Sequence, residues 1–173
     1  MVGEMCCILK HGGPDDEGLY ACEEHHLVLG HRRLSLIDLS SCGHQPMSYA
    51  DGRYEISFNG EIYNYRELKE ELKRAGNIFK TESDTEVILA AFATWGTASF
   101  DQLNGMFAFA LWDNLEAKLY LARDPSGIKP LYYAATAEGV AFASEIKGFR
   151  SVPYLQEEND IWPVYLMAYG HFT

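Results

Sequence analysis

The stretch EISFNGEIYNYRELKEEL, from Glu55 to Leu72, decides how the rest of the chain is read. Glu55, Ile56, Ser57 and Phe58 alternate polar and apolar, the pattern of a half-buried strand. Asn59-Gly60 then predicts a break, because this pair tolerates positive φ and can leave backbone N–H groups pointing outward. Asn64 stands where a helix N-cap is expected, and Tyr65, Leu68 and Leu72 recur at helical spacing. An amide side chain and a bare N–H converging between a strand and a helix is the arrangement of an oxyanion hole. A strand, turn and helix with no chemical role satisfies the same pattern.

Working outward, Val2–Leu9 reads as helix, with Met5, Ile8 and Leu9 in step, followed by a turn-rich loop from His11 to Gly18. Strands are expected at Leu27–Gly30 and Leu34–Asp38, around His31-Arg32-Arg33, and Ser40–Tyr49 reads as irregular. Gly76 suits the C′ position of the helix Tyr65–Arg74. Ser83-Asp84-Thr85-Glu86 opens a second helix to about Trp95, apolar over most of its surface. Beyond a short helix at Phe100–Leu103, strands at Met106–Asp113, Leu119–Arg123, Leu131–Tyr133 and Val140–Ala143 alternate with turns, as in an antiparallel meander. Glu145–Phe149 reads as a helical turn and Glu157–Tyr169 as a last helix interrupted by proline. The texture is α+β: sheets covered by helices.

The 173 residues suffice for one domain with a sizeable core, and 47% hydrophobic with 23% charged residues is ordinary for a globular protein. With 25 acidic against 14 basic residues the formal charge is −11, and no Lys/Arg cluster suits a phosphate backbone or an anionic membrane surface. No apolar run approaches the roughly 18–20 residues that span a bilayer. A cytoplasmic protein is expected, with Cys6, Cys7, Cys22 and Cys42 as reduced thiols. His11, Cys22, His25 and His26 lie close in sequence, but their spacing matches no common zinc site, and no metal is expected.

Singly, Arg32-Arg33 suits a solvated strand edge, Asp84 a helix cap and Asp124, before Pro125, a turn. In order they say more. H-x-G-P-D-D-E-G, G-H-R-R-L-S-L-I-D-L, F-N-G-E-I-Y-N-Y-R-E-L, S-D-T-E-V-I-L, L-N-G-M-F-A-F-A-L-W-D, A-R-D-x-x-G-I-K-P-L-Y-Y and F-A-S-E-I-K succeed one another from His11 to Lys147. The series resembles the glutaminase domain of class II glutamine amidotransferases, in the branch of the glutamine-hydrolysing asparagine synthetases.

That resemblance implies a four-layer αββα N-terminal nucleophile hydrolase fold, two antiparallel sheets stacked between helical layers. It implies hydrolysis of glutamine to glutamate by an N-terminal cysteine whose own α-amine is the base, with the ammonia used in ATP-dependent amidation of aspartate. Carried over by motif, Asn59 (side chain) and Gly60 (N–H) hold the oxyanion. Arg33 takes the substrate α-carboxylate, and Asp84, supported by Glu61, the α-ammonium. The chain departs from the pattern at its ends. On alignment at His11, Cys6 and Cys7 fall in a helix and the first strand with its cysteine has no counterpart. Gly12 stands where the family has an arginine, a partner for the acidic run Asp15–Glu17. Residues 1–154 are expected to be the glutaminase domain, N-terminally incomplete, and 155–173 the start of a connector. No cofactor is expected here; ATP and Mg belong to a synthetase domain. On this reading the chain alone is inactive and, with a sheet edge exposed, prone to homo-oligomerise. Three readings stay open: a glutaminase domain, a module that binds an amino acid without catalysis, and a fold kept for a partner.

Overall fold

The computed structural model describes residues 1–34 and 43–155. The helix expected at Glu157–Tyr169 lies outside them, as does nearly all of the strand expected at Leu34–Asp38. The described elements are α1 (Val2–Ile8), β1 (Asp16–Cys22), β2 (Leu27–Arg33), β3 (Met47–Tyr49), β4 (Tyr54–Ile62), α2 (Tyr65–Arg74), α3 (Asp84–Trp95), β5 (Gly105–Asp113), β6 (Lys118–Arg123), β7 (Tyr132–Thr136) and β8 (Gly139–Ala143), with 3-10 turns between several of them.

The strands form an antiparallel four-stranded sheet, β3-β4-β5-β6, and two antiparallel pairs, β1-β2 and β7-β8. Side-chain alternation along β4 and β5 explains the stacking. Ile56, Phe58 and Ile62 of β4 with Phe107, Phe109 and Leu111 of β5 face α2 and α3, in one core with Leu68, Leu72 and most of α3. Ala110 and Trp112, from the opposite face of β5, pack with Leu29 of β2 and, at the margin, Phe142 of β8. Beyond the two pairs, Met5 of α1 packs with Ala141, Ala143 and Val152. The order of layers is helix, sheet, sheet, helix, the αββα arrangement expected.

α3 is buried from Thr85 to Phe92, as a helix apolar all round must be. α2 ends at Gly76 with φ +96°, where Asn77 N–H reaches the Leu72 carbonyl and Gly76 N–H that of Lys73: a Schellman end, as the sequence predicts.

Several expectations are corrected. The loop read from His11 to Gly18 gives way at Asp16 to β1, whose turn-like Asp-Glu-Gly start hides a strand. β2 runs on through His31-Arg32-Arg33, because its partner β1 extends its pairing to Asp16↔Arg33. Met47–Tyr49, read as irregular, is an edge strand on β4. The expected meander of four strands resolves into two hairpins in different sheets, β5-β6 and β7-β8. Arg123 and Asp124 then clasp the following loop: Arg123 donates to the carbonyls of Gly127 and Lys129, and the Asp124 carboxylate accepts N–H from Phe107, Ile128 and Lys129. The chain is thereby turned out of that sheet, and β7-β8 forms in the second layer.

Candidate active site at the open edge of β4

Asn59-Gly60 is not a break. β4 continues to Ile62, and Gly60 is absent from the positive-φ glycines, which are Gly52, Gly76, Gly96, Gly127 and Gly139. Glycine is required for closeness instead. A Cβ on Gly60 would collide with the Met106 carbonyl oxygen and lie 2.7 Å from Phe107 Cα of β5.

The direction of the Gly60 N–H follows from the ladder. Gly60 faces Phe107, whose N–H goes to the Asp124 carboxylate (3.2 Å) and whose carbonyl accepts Asp124 N–H (2.8 Å). Both polar groups of Phe107 thus point away from β4, so Gly60↔Phe107 is a non-hydrogen-bonded pair. Gly60 N–H therefore points to the opposite edge, with those of Phe58 and Ile62. On that edge Phe58 N–H is taken by Gln45 Oε1 (2.6 Å) and Ile62 N–H by Asp84 Oδ2 (3.0 Å). β3 covers β4 only as far as Ile56. Gly60 N–H, roughly 6.8 Å from either neighbour along the strand, stands between an amide and a carboxylate, with no partner among the described residues.

Around this N–H the predicted residues sort themselves. Asn59 and Glu61 are half-buried on the face turned to the second layer. Asp84 is not the helix cap: Ser83 is, its Oγ accepting Thr85 N–H at 3.1 Å. The Asp84 carboxylate is left for Ile62. Burial raises its pKa, against the lowering by N–H donors of Ile62 and its own turn, and Glu61 adds repulsion. Asn64, likewise, makes no cap bond; its amide joins the Gln102 carbonyl and the Asn104 N–H, stapling the entry to β5.

Arg33 comes from the other sheet. Its guanidinium lies against Gly43, leaving no room for a side chain there, and two residues on Gln45 holds Phe58. The loop 43–45 thus links the end of β2 to the edge of β4. The structure brings Asn59, Gly60, Glu61 and Asp84 onto one strand end and joins Arg33 to them through this loop. The acidic run finds partners without an arginine at Gly12: Asp16 with His44 (2.8 Å) and Glu17 with Arg32.

Two neighbours were missed from sequence. Gln45 has no local signal, since its contact lies 13 residues away. His31, inside the quoted G-H-R-R motif, lies 3.2 Å from Ser57 Oγ, which itself donates to the Gly30 carbonyl at 3.1 Å. The hydroxyl proton being spent on Gly30, His31 Nδ1–H is the donor to Ser57 Oγ. Burial, with Arg33 nearby, lowers its pKa to about 4.

His31, Ser57 and Asn59 border a cavity of about 490 Å³ between β2 and β8, over Ala108 and Ala110 of β5. Cys6 also borders it, but from α1, with its Sγ where a Cβ of Gly30 would sit. Gly30 and His31 project to opposite faces of β2, so Cys6 is across the strand from Ser57. Burial raises its pKa, and Cys7 is exposed. Of the residues considered for zinc, His11 pairs with Glu145 and His25 packs on Trp112. Among the described residues no group of three or more His, Cys, Asp or Glu is placed to hold a metal, and no helix is long and apolar enough to cross a membrane.

Comparison with known proteins agrees with the fold. The glutamine amidotransferase domain family matches residues 1–171. Asparagine synthetase [glutamine-hydrolyzing] 1 of Bacillus subtilis is 46% identical over 161 residues, 93% of this chain and 24% of that protein. Asparagine synthetase [glutamine-hydrolyzing] 3 of the same organism is 40% identical over 90% of this chain and 25% of its own length. The chain thus spans about a quarter of these relatives. Among solved structures, glutamine phosphoribosylpyrophosphate amidotransferase from B. subtilis superposes with a TM-score of 0.61 at 28% identity, over 72% of this chain and 29% of that one. With the αββα layering and the motif series in place, the chain belongs to the class II glutamine amidotransferases, in the glutamine-hydrolysing asparagine synthetase branch.

Proposed function

We propose that this domain binds glutamine at the open edge of β4 and serves its hydrolysis to glutamate and ammonia. The observation that carries the reading is the outward Gly60 N–H standing between Gln45 and Asp84. A side-chain carbonyl oxygen at Gly60 N–H, assisted by the Asn59 amide, is held where negative charge develops when the amide carbon is attacked. One strand repeat further on, the Asp84 carboxylate accepts the α-ammonium, a span that an extended glutamine bridges. Arg33 offers a planar fork to the α-carboxylate. Two opposite charges and an oxyanion donor along one edge select a free amino acid with a side-chain amide.

The family pattern supports delivery of the ammonia to ATP-dependent amidation of aspartate by a synthetase partner domain, to which ATP and magnesium are assigned. A cytoplasmic setting suits the free thiols and the acidic charge. A second reading, binding without catalysis, is favoured by Cys6, which meets Gly30 across β2 from Ser57, and by the exposure of Cys7.

Calorimetric titration of glutamine into wild type, Arg33→Ala and Asp84→Asn tests the binding reading. Truncating a desolvated charge partner costs about 2–5 kcal/mol, against well under about 1 for a solvated rim charge. Equal binding by all three proteins, at unchanged melting temperatures, removes the pair from the site. Ammonia release from glutamine, measured alongside, separates the glutaminase reading from binding alone.

A further inference from the structure

Lys69 and Glu86 are charged, each only 4% exposed, and neither belongs to the edge described above. Their polar atoms converge on one short segment. The Glu86 carboxylate accepts the N–H groups of Lys80 (2.8 Å) and Thr81 (2.7 Å) and the Thr81 hydroxyl (2.7 Å). From the other side Lys69 Nζ donates to the Thr81 carbonyl at 2.7 Å, pairs with Glu82 at 2.9 Å and lies over the Phe79 ring. Thr81 Oγ1 then accepts Ser83 N–H (3.1 Å), and Ser83 caps α3. The N–H, carbonyl and hydroxyl of Thr81 are thereby all fixed, three residues before Asp84.

Burying two charges is expensive, and a single capping serine is enough to start a helix. What the pair adds is position: with residues 80–83 clamped from both sides, Asp84 has one place to meet Ile62 N–H and the β4 edge. We propose that Lys69 and Glu86 are positioning residues that set the selectivity of the site for a ligand bearing an α-ammonium group. This rests on the reading of Asp84 as the ammonium acceptor.

The test is titration of the full chain with L-glutamine and with 4-carbamoylbutyrate, the same amide without the amine. Wild type is expected to prefer glutamine at least about tenfold. In Glu86→Gln, and independently in Lys69→Met, that preference should fall below about threefold while 4-carbamoylbutyrate binding stays within about twofold of wild type. Thr81→Val, which removes only the hydroxyl links, supplies a milder perturbation should either variant fail to fold. Preference retained in every folded variant overturns the proposal. So does equal weakening of both ligands, which is what a purely structural clamp predicts, or unfolding of all three variants. Failure of the underlying reading shows itself separately, as wild type that binds no glutamine or does not distinguish the two compounds.

Discussion

The two layers of this molecule are built to different standards. β4 and β5 lie back to back with α2 and α3, and Ile56, Ile62, Leu72, Leu89 and Leu111 are wholly buried between them. Among the described residues the second layer is two separate hairpins, β1-β2 and β7-β8, with a cavity between them. Its Leu19, Val28, Tyr133 and Val140 remain exposed. The β4 edge with its outward Gly60 N–H, and Asp84 beside it, are carried by the first layer, whereas Arg33 and His31 are carried by the second. On the proposed reading, the donors that must be held within a fraction of an ångström sit on the densely packed half, and the half that borders the cavity brings up the charge offered to the α-carboxylate.

This contrast can be broken from either side. The largest effect is expected in the first layer: Phe109→Ala, opening the interior between β5 and α3, should cost about 3–5 kcal/mol in denaturant unfolding. Phe142→Ala at the cavity margin of the second layer should cost less than about 2, since the side chain is only partly buried. Equal losses would abolish the distinction. Next is acid. His31 titrates at about 4 when folded and near 6.5 when unfolded, so on acidification through that window the unfolded chain takes up the proton first. Stability should be full above about 6.5 and fall by about 3 kcal/mol towards pH 4. That loss should be missing from the stability curve of His31→Gln.

Gly60→Ala probes the seam itself. Its Cβ meets β5 backbone, so about 1–3 kcal/mol of stability should go, with glutamine affinity lost as the edge shifts. Unchanged stability would mean that β4 can move away from β5 without cost. Smallest is the prediction for Cys7→Ala: being exposed and away from the edge, it should leave stability within about 0.5 kcal/mol and any ammonia release unchanged. Abolished release would place the chemistry on α1. Asp84 adds a pH signature: its raised pKa means that amine recognition should fail on acidification at a higher pH than for an ordinary aspartate. Titrations of glutamine at stepped pH read this directly.

The sequence determined what is local. Alternation located β4 up to Phe58, the continuous apolar run from Met106 located β5, the apolar run from Val87 located a buried helix, and Gly76 located the end of α2. The motif series carried Asn59, Gly60, Arg33, Glu61 and Asp84 as candidates. What the sequence misread, it misread because a tertiary partner overrode a local rule. Asn59-Gly60 reads as a turn, yet β5 approaches so closely that glycine is needed inside a strand. Asp84 reads as a cap, yet Ser83 takes that place and Ile62 claims the carboxylate. Only the folded structure decided that Phe107 spends both backbone groups on Asp124, which turns Gly60 N–H outward. Only it decided that Gln45 and Asp84 flank that N–H, because hydrogen-bond direction in a sheet is set by the neighbouring strand and not by the residue itself.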